Sequence, residues 1–196
     1  PFCRVSLTLS PPRGGIAYIN QGLPAASFIS LDAKLEAIAY AAYISELADA
    51  AMPERRPSAN FFGLLLAVFS LLKMDTDVLR TARFFELRLL AELGLLPNMA
   101  GCQECGRGLP AGNFFLSPQA GSLLCQGCGG ADAAPRLSAG AVQTMRQLAA
   151  QPFSRIPSIK ISAAIMAEME QALGYFLDYH LEYSPKARRI LRQLLD

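Results

Sequence analysis

Four of the five cysteines in this chain of 196 residues form two Cys-x2-Cys pairs, a pattern that can bind a metal ion. Cys102 and Cys105 form the first pair, and after nineteen intervening residues Cys125 and Cys128 form the second. This spacing is typical of four-cysteine zinc sites, because a two-residue spacer lets one tight turn direct both sulfurs at one ion. Two disulfides, or four thiols that only pack together, are the alternatives. A reducing compartment opposes the first and the polar, glycine-rich turns oppose the second, so we predict a bound Zn²⁺.

The predicted Zn²⁺ is structural, because four thiolates leave no coordination position open for a reactive water. The one histidine, His180, lies far along the chain in a helical pattern, and we interpret it as a satisfied residue of a helix face. Cys3 is interpreted as a small buried hydrophobe. The sequence lacks a glycine-rich phosphate loop, a serine elbow and paired catalytic carboxylates. We therefore expect that the protein is not an enzyme.

Two short strands are predicted to bring the cysteine pairs together. Residues 113–116 and 122–124 have the composition of strands, and the turn at 118–121 joins them in a hairpin. The turns that hold the cysteines are expected to use glycines in positive φ. These glycines are Gly106, Gly129 and Gly130.

Strands also open the sequence. Residues 2–9 alternate apolar and polar side chains, which predicts a half-buried strand, and residues 16–19 are predicted to return beside it. A hairpin of two strands does not form a stable sheet alone. Because the sequence starts without Met and directly on a strand, we expect it to begin inside a domain.

Six helices are predicted in the rest of the chain from the spacing of apolar residues. They cover the segment from Ser30 to Pro53, the segment from the N-cap Ser58 to Leu72, and residues 77–93, 138–149, 162–182 and 186–195. The second helix is apolar nearly all round, so we expect it in the centre of the bundle. The predicted helix ends are Asp75 or Thr76 as a cap, Gly94 as a stop, Ser138 as a cap, and Ser184 followed by Pro185 as the start of the last helix.

The composition fits this mainly α, globular chain. Hydrophobic residues make up 52% and charged residues 17%, the mean hydropathy is +0.27, and the net charge is only +2. These values exclude a disordered chain and a highly charged coiled coil. No apolar run is long enough to span a membrane and no signal peptide is present, so we expect a soluble, cytoplasmic protein.

Two groups of basic residues have open interpretations. Arg80 and Arg83 share a helix face with Glu86, which is typical of a solvated stripe with an Arg83–Glu86 pair. The last helix carries four cations, which either form a cationic face favoured by the helix dipole or contact DNA phosphates. These four are Lys186, Arg188, Arg189 and Arg192.

Three motifs in this order carry a resemblance to a known family. The first is ARFFELRLL at 82–90 followed by GLLP at 94–97, the second is the four-cysteine segment ending in FLSPQAG at 115–121, and the third is LDYHLE at 177–182 followed by KARR at 186–189. Together they resemble the RecO family of bacterial recombination mediators. The resemblance extends over the whole sequence, and the first strands are similar to the late strands of the family's N-terminal OB-fold.

This resemblance implies a mainly α protein in four segments. A remnant of the OB-fold is expected at residues 1–29, the two parts of a helical domain at 30–98 and 132–196, and an inserted four-cysteine zinc-binding segment at 99–131. Most of the OB-fold is missing from the sequence, which agrees with a chain that begins inside a domain.

The resemblance also implies a function in DNA repair and homologous recombination. Family members bind single- and double-stranded DNA, anneal complementary strands and, with RecR, help a recombinase replace single-strand-binding protein. The implied partners are RecR and the acidic C-terminal tail of single-strand-binding protein, with Arg83 and the neighbouring Arg80 as tail-binding residues. The alternative is a zinc-stabilised scaffold that binds proteins and never touches DNA.

Overall fold

The computed structural model describes residues 2–11, 14, 16–29, 33–52, 57–74, 77–108, 112–129 and 134–195. Several predicted features lie outside these residues. They are the helix start at Ser30, the stop at Pro53, the caps Asp75 and Thr76, Gly130, and the side chain of Arg192.

The described residues confirm a mainly α chain with a small sheet at its N-terminus and a second sheet inserted between helices. The elements are β1 (Cys3–Leu9), β2 (Ile19–Ser27), α1 (Leu35–Ala51), α2 (Ala59–Lys73), α3 (Val78–Glu92), β3 (Asn98–Cys102), β4 (Phe114–Ser117), β5 (Ser122–Cys125), β6 (Arg136–Leu137), α4 (Ala139–Ala150), a 3-10 helix (Phe153–Ser158), α5 (Ala163–Leu181) and α6 (Lys186–Leu195).

The hairpin of β1 and β2 is antiparallel, but the predicted position of the returning strand is wrong, since β2 begins at Ile19, where the strand predicted at 16–19 was to end. Pro24 of β2 is tolerated beside a register shift, since proline cannot donate to a regular ladder. The prediction that β1 is half-buried is wrong: all seven of its residues, including Cys3, are exposed, because the strand packs mainly on β2. The open end of the hairpin reaches the helices, where the rings of Phe2 and Phe28 lie 6.0 and 5.9 Å from that of Phe69.

The central helix of the bundle is α3 and not, as predicted, the more apolar α2. α3 packs against α1, α2, α4 and α5, and ten of its residues are buried. α2 leaves Phe62 52% exposed beside a cavity of about 700 Å³ between α1 and α2. Hydrophobicity alone did not predict which helix is central, because the charged side chains of α3 are paired with opposite charges inside the bundle.

Side-chain caps and a glycine fix the ends of several helices as predicted. Ser58 accepts a hydrogen bond from the Phe61 N–H at 3.1 Å, and Ser138 accepts one from the Ala141 N–H at 3.2 Å. Gly94, with a φ of +72°, ends α3. The third helix differs from the prediction: its cap is Asp77, which accepts from the Arg80 N–H, and not Asp75 or Thr76.

The inserted sheet has the strand order β3-β5-β4-β6, in which β3 and β5 are parallel. Phe114, Leu116 and Leu123 are buried in the same core as α5 and Leu137 of β6. The four-cysteine segment is therefore packed into the helical domain and does not stand apart from it.

Candidate metal centre and buried arginine network

The parallel pairing of β3 with β5 brings the two cysteine pairs together. Cys102 is the last residue of β3 and Cys125 the last residue of β5, so the ends of both strands deliver a thiol to the same edge of the sheet. Cys105 and Cys128 follow in the adjoining turns. The sulfur atoms of the four cysteines all lie within 4.8 Å of one another.

Each pair sits in a turn held by backbone hydrogen bonds. The Gly106 N–H donates to the Cys102 carbonyl at 3.0 Å, and the Cys128 N–H donates to the Cys125 carbonyl at 3.0 Å. Gly106 has a φ of +69°, as predicted for such a turn. Gly129 is not among the positive-φ glycines, so the prediction is wrong for it; it is closely packed, since a Cβ there would lie 3.0 Å from the Leu124 Cβ, a tight contact.

Gly101 supports the first turn in a way that the sequence did not indicate. A Cβ on Gly101 would lie 2.7 Å from the Arg107 carbonyl oxygen, closer than real Cβ contacts come. That carbonyl accepts from the Cys102 N–H at 2.9 Å, and Gly101 also forms an isolated bridge with Gly108. The chain can therefore cross itself behind Cys102 only with glycine at this position.

The cluster has the dimensions and chemistry of a tetrathiolate site. The sulfurs of Cys105 and Cys125 are 3.7 Å apart, and a tetrahedron with metal–sulfur bonds of about 2.3 Å has edges of about 3.8 Å. Burial acts to raise the pKa of the Cys102 thiol, but backbone N–H groups of Cys105, Cys125 and Glu104 outweigh it and bring the pKa to about 6. The four cysteines fit a divalent ion that prefers thiolates and are compatible with zinc.

A second polar cluster, which we call the arginine network, lies inside the helical bundle. Arg83 donates through Nη2 to Glu86 Oε1 at 2.8 Å, and the Tyr43 hydroxyl donates to the same oxygen at 2.7 Å. Nη1 of Arg83 lies 3.6 Å from Oε2 of Glu170 on α5. Although burial acts to lower the pKa of the Arg83 guanidinium, the adjacent Glu86 carboxylate raises it, so Arg83 stays charged.

The interpretation of Arg80, Arg83 and Glu86 as a solvated stripe is wrong, although the Arg83–Glu86 pair itself is present. Arg80 is 8% exposed and Arg83 is 3% exposed, and Glu86 is fully buried. Arg80 donates through Nη1 to the Ile159 carbonyl at 2.6 Å. Neither arginine lies at a surface that a peptide can reach in this conformation, so tail binding by these residues stays a prediction.

Arg188 of α6 also belongs to the arginine network and does not face solvent as a DNA contact would. It is 7% exposed, donates through Nη2 to the Tyr43 hydroxyl at 3.3 Å and forms an ion pair with Asp178. Its guanidinium carbon lies 5.6 Å from the centre of the Tyr43 ring. Its Nη1 also donates to the Gly174 carbonyl of α5 at 3.3 Å. Of the other predicted contacts, Lys186 and Arg189 are exposed.

A carboxylate from α1 caps α6, in place of the predicted Ser184. Glu46 accepts the Lys186 N–H at 2.9 Å, the Ala187 N–H at 2.8 Å and the Tyr183 hydroxyl. Burial acts to raise the pKa of Glu46, but these three donors outweigh it and lower the pKa. Ser184 instead donates to Asp178. Sequence pattern could not find this cap, because cap and helix are far apart in the chain.

His180 lies away from the cysteine cluster, against aromatic rings. Its ring centre is 4.4 Å from that of Phe176, and its Nε2 is buried without a hydrogen-bond partner among the described residues. His180 therefore lies on a helix face, as interpreted, but the interpretation that its hydrogen bonds are satisfied is wrong for Nε2 among the described residues.

Comparisons with known proteins place these features in a family. Residues 33–189 match the family described as "Recombination protein O C terminal". The chain is 35% identical over 195 residues to the DNA repair protein RecO of Desulforudis audaxviator (strain MP104C), covering 99% of this chain and 77% of that protein. It is 33% identical to the DNA repair protein RecO of Roseiflexus sp. (strain RS-1), covering 90% of this chain and 64% of that protein.

The DNA repair protein RecO of Symbiobacterium thermophilum (strain DSM 24528 / JCM 14929 / IAM 14863 / T) is 34% identical over 172 residues, which cover 86% of this chain and 68% of that protein. Within the part of the chain that the structure describes, no helix combines the length and the apolar character needed to cross a membrane.

Proposed function

Because this chain belongs to the RecO family of DNA repair proteins, we propose that it binds DNA and anneals complementary single strands as a mediator of recombination without enzymatic activity. The carrying observation is the family match over residues 33–189, which spans both parts of the helical domain and the four-cysteine segment. We further propose that it acts with RecR to load recombinase on DNA coated by single-strand-binding protein, in the cytoplasm at the nucleoid.

The metal of the cysteine cluster is proposed to be Zn²⁺, held by Cys102, Cys105, Cys125 and Cys128. Four thiols at tetrahedral spacing favour zinc over calcium or magnesium, which prefer oxygen. When bound, the ion supplies stability and no reactive water. It would hold together the ends of β3 and β5.

DNA phosphates are proposed to contact α6 through the exposed Lys186 and Arg189 and through Arg192, whose side chain lies outside the described residues. Arg188 has a different proposed part, since it is buried and holds α6 against α1 and α5. It positions the two exposed cations without meeting phosphate.

The acidic tail of single-strand-binding protein remains a proposed partner. Contact with Arg83 and Arg80 would require the arginine network to open, because both guanidinium groups are engaged inside the bundle. Fluorescence anisotropy with a labelled tail peptide tests this, and Arg80→Ala should weaken binding. Unchanged affinity in a folded Arg80→Ala variant rejects Arg80 as a tail-binding residue.

The test of the function is an annealing assay with two complementary labelled oligonucleotides, using the chain with and without bound zinc. We expect the zinc-bound chain to anneal the oligonucleotides faster than the chain without zinc. Its affinity for DNA should fall as the salt concentration rises, because phosphate contacts release counterions. Absence of both effects favours a protein-interaction scaffold. The apolar cavity between α1 and α2, with Phe62 and Phe69 on its wall, is the observation that favours this second candidate.

A further inference from the structure

The stretch from residue 134 to residue 167 is basic and contains no carboxylate, although the whole chain has a net charge of only +2. It runs from β6 through α4 and the 3-10 helix into α5. Its four cations are all exposed, and none forms an ion pair with another described residue. These cations are Arg136, Arg146, Arg155 and Lys160. Such a segment attracts a polyanion.

A groove with an exposed aromatic ring lies beside this segment. It has a volume of about 550 Å³ and runs between α2 and α3. Phe84 and Leu64 contribute apolar surface to its wall, Asn60 contributes an amide, and Phe153 at the start of the 3-10 helix is 51% exposed. The groove therefore offers a flat ring next to hydrogen-bonding groups, which is what a nucleobase requires.

One cation lines this groove, and two others lie near its residues in the sequence. Arg88 of α3 lines it and donates through Nη1 to the Ala149 carbonyl at 3.1 Å, which ties the groove wall to the end of α4. Arg146 lies one helical turn before that end, and Arg155 follows Phe153 by two residues. Glu92 is the one carboxylate among the described lining residues. Arg88 thus places a positive charge in the groove wall, and Arg146 and Arg155 are exposed cations on the segment that carries Phe153.

We propose that this groove, which we call the Phe153 groove, binds an unstacked base of single-stranded DNA. Phe153 stacks on the base, Asn60 and Arg88 offer hydrogen bonds to its edge, and Arg146 and Arg155 contact the neighbouring phosphates. Duplex DNA keeps its bases stacked inside the helix and cannot present one to the ring. This inference rests on the proposed DNA binding but uses a surface other than α6.

The absence of tryptophan from the sequence allows a direct test. Phe153→Trp introduces a single tryptophan, whose emission should be quenched when the purified chain is titrated with an unlabelled oligothymidylate. Phe62→Trp is the matched control, because Phe62 is equally exposed, at 52%, and lines the cavity on the other side of α2. Its emission should not respond.

Affinity measurements separate stacking from charge. Phe153→Ala should weaken binding of a labelled oligothymidylate about tenfold, since one base–aromatic contact is lost. Arg155→Gln should lower the slope of log affinity against log salt by about 1. Phe62→Ala should leave both quantities unchanged.

The results distinguish this inference from the function on which it rests. An unmodified chain that does not bind oligothymidylate overturns both. A chain that binds while the tryptophan emission of the Phe153→Trp variant stays constant, or while Phe153→Ala keeps full affinity, overturns the Phe153 groove alone. Quenching in Phe62→Trp as well as in Phe153→Trp also overturns it, because the base would then have no defined site.

Discussion

The cysteine cluster and the arginine network bring polar groups together by different routes. The cysteines come from two short turns at the ends of paired strands, so backbone hydrogen bonds between near neighbours place them. Arg83, Tyr43 and Arg188 come from three separate helices and meet through their side chains. A spacing rule can find the first arrangement, whereas the second exists only once the bundle has packed.

The two regions also differ in what they need to be complete. The cysteine cluster fits a divalent cation from outside the chain, which would offset part of the negative charge of its thiolates. The arginine network supplies its own counter-charges, since Glu86, Glu170 and Asp178 lie beside the two guanidinium groups. Charged residues in a helix sequence therefore do not reveal whether they face a partner or each other.

Removal of the metal should give the largest local effect. Apparent binding energies of structural zinc in zinc-finger peptides are about 10–16 kcal/mol, so Cys102→Ser should lose the ion and unfold the turns around it. Hydrogen exchange at β3 and β5 should increase while helix content by circular dichroism is retained. Cys3 is an exposed cysteine of β1, so the Cys3→Ser variant is the control and should keep the metal. Unchanged metal content in Cys102→Ser would contradict the zinc site.

Breaking the arginine network should cost global stability. Arg83→Ala leaves Glu86 as a buried carboxylate without its partner, which destabilises by about 3–5 kcal/mol in comparable cases. Chemical denaturation measures this loss, and Arg189→Ala on the exposed side of α6 should change stability by less than about 0.5 kcal/mol. The double variant Arg83→Met with Glu86→Leu should recover most of the loss. An unfolding free energy unchanged by Arg83→Ala would show that the pair is not buried in solution.

The cap of α6 should give the smallest effect, and it should depend on pH. Glu46→Gln should cost about 1 kcal/mol, as loss of a helix cap does. Because the folded state lowers the pKa of Glu46, its contribution is complete above the ordinary Glu value of about 4.3 and disappears as pH falls through the lowered pKa.

Denaturation at several pH values checks this prediction. Wild type and Glu46→Gln should converge in stability at low pH. A constant difference between wild type and Glu46→Gln from neutral to acid pH would rule out the charged cap.

Sequence patterns predicted the features that depend on near neighbours. The strands around Phe114 and Ser122, the caps Ser58 and Ser138, and the stop at Gly94 follow from local chemistry, and all are present. The family resemblance, which rested on motifs, is also confirmed.

Sequence patterns failed to predict burial where it depends on contacts between distant parts of the chain. Apolar content placed α2 at the centre, but paired charges let α3 occupy it. Alternation in β1 predicted burial, although no periodicity states what lies against a strand. Arg188 was predicted to be an exposed cation, but it is buried and donates to the Gly174 carbonyl and the Tyr43 hydroxyl, both distant in sequence.

The contacts between α1 and α6 also constrain when this domain can finish folding. Glu46 and Lys186 are 140 residues apart, and Tyr43 and Arg188 are 145 apart. During synthesis α1 leaves the ribosome long before α6 exists, so these contacts are among the last to form. A chain terminated before residue 186 would leave the Tyr43 hydroxyl without Arg188 and the Glu46 carboxylate without the helix it caps. Termination of the chain before α6 should therefore yield a domain in which α1 is formed but lacks its contacts with α6.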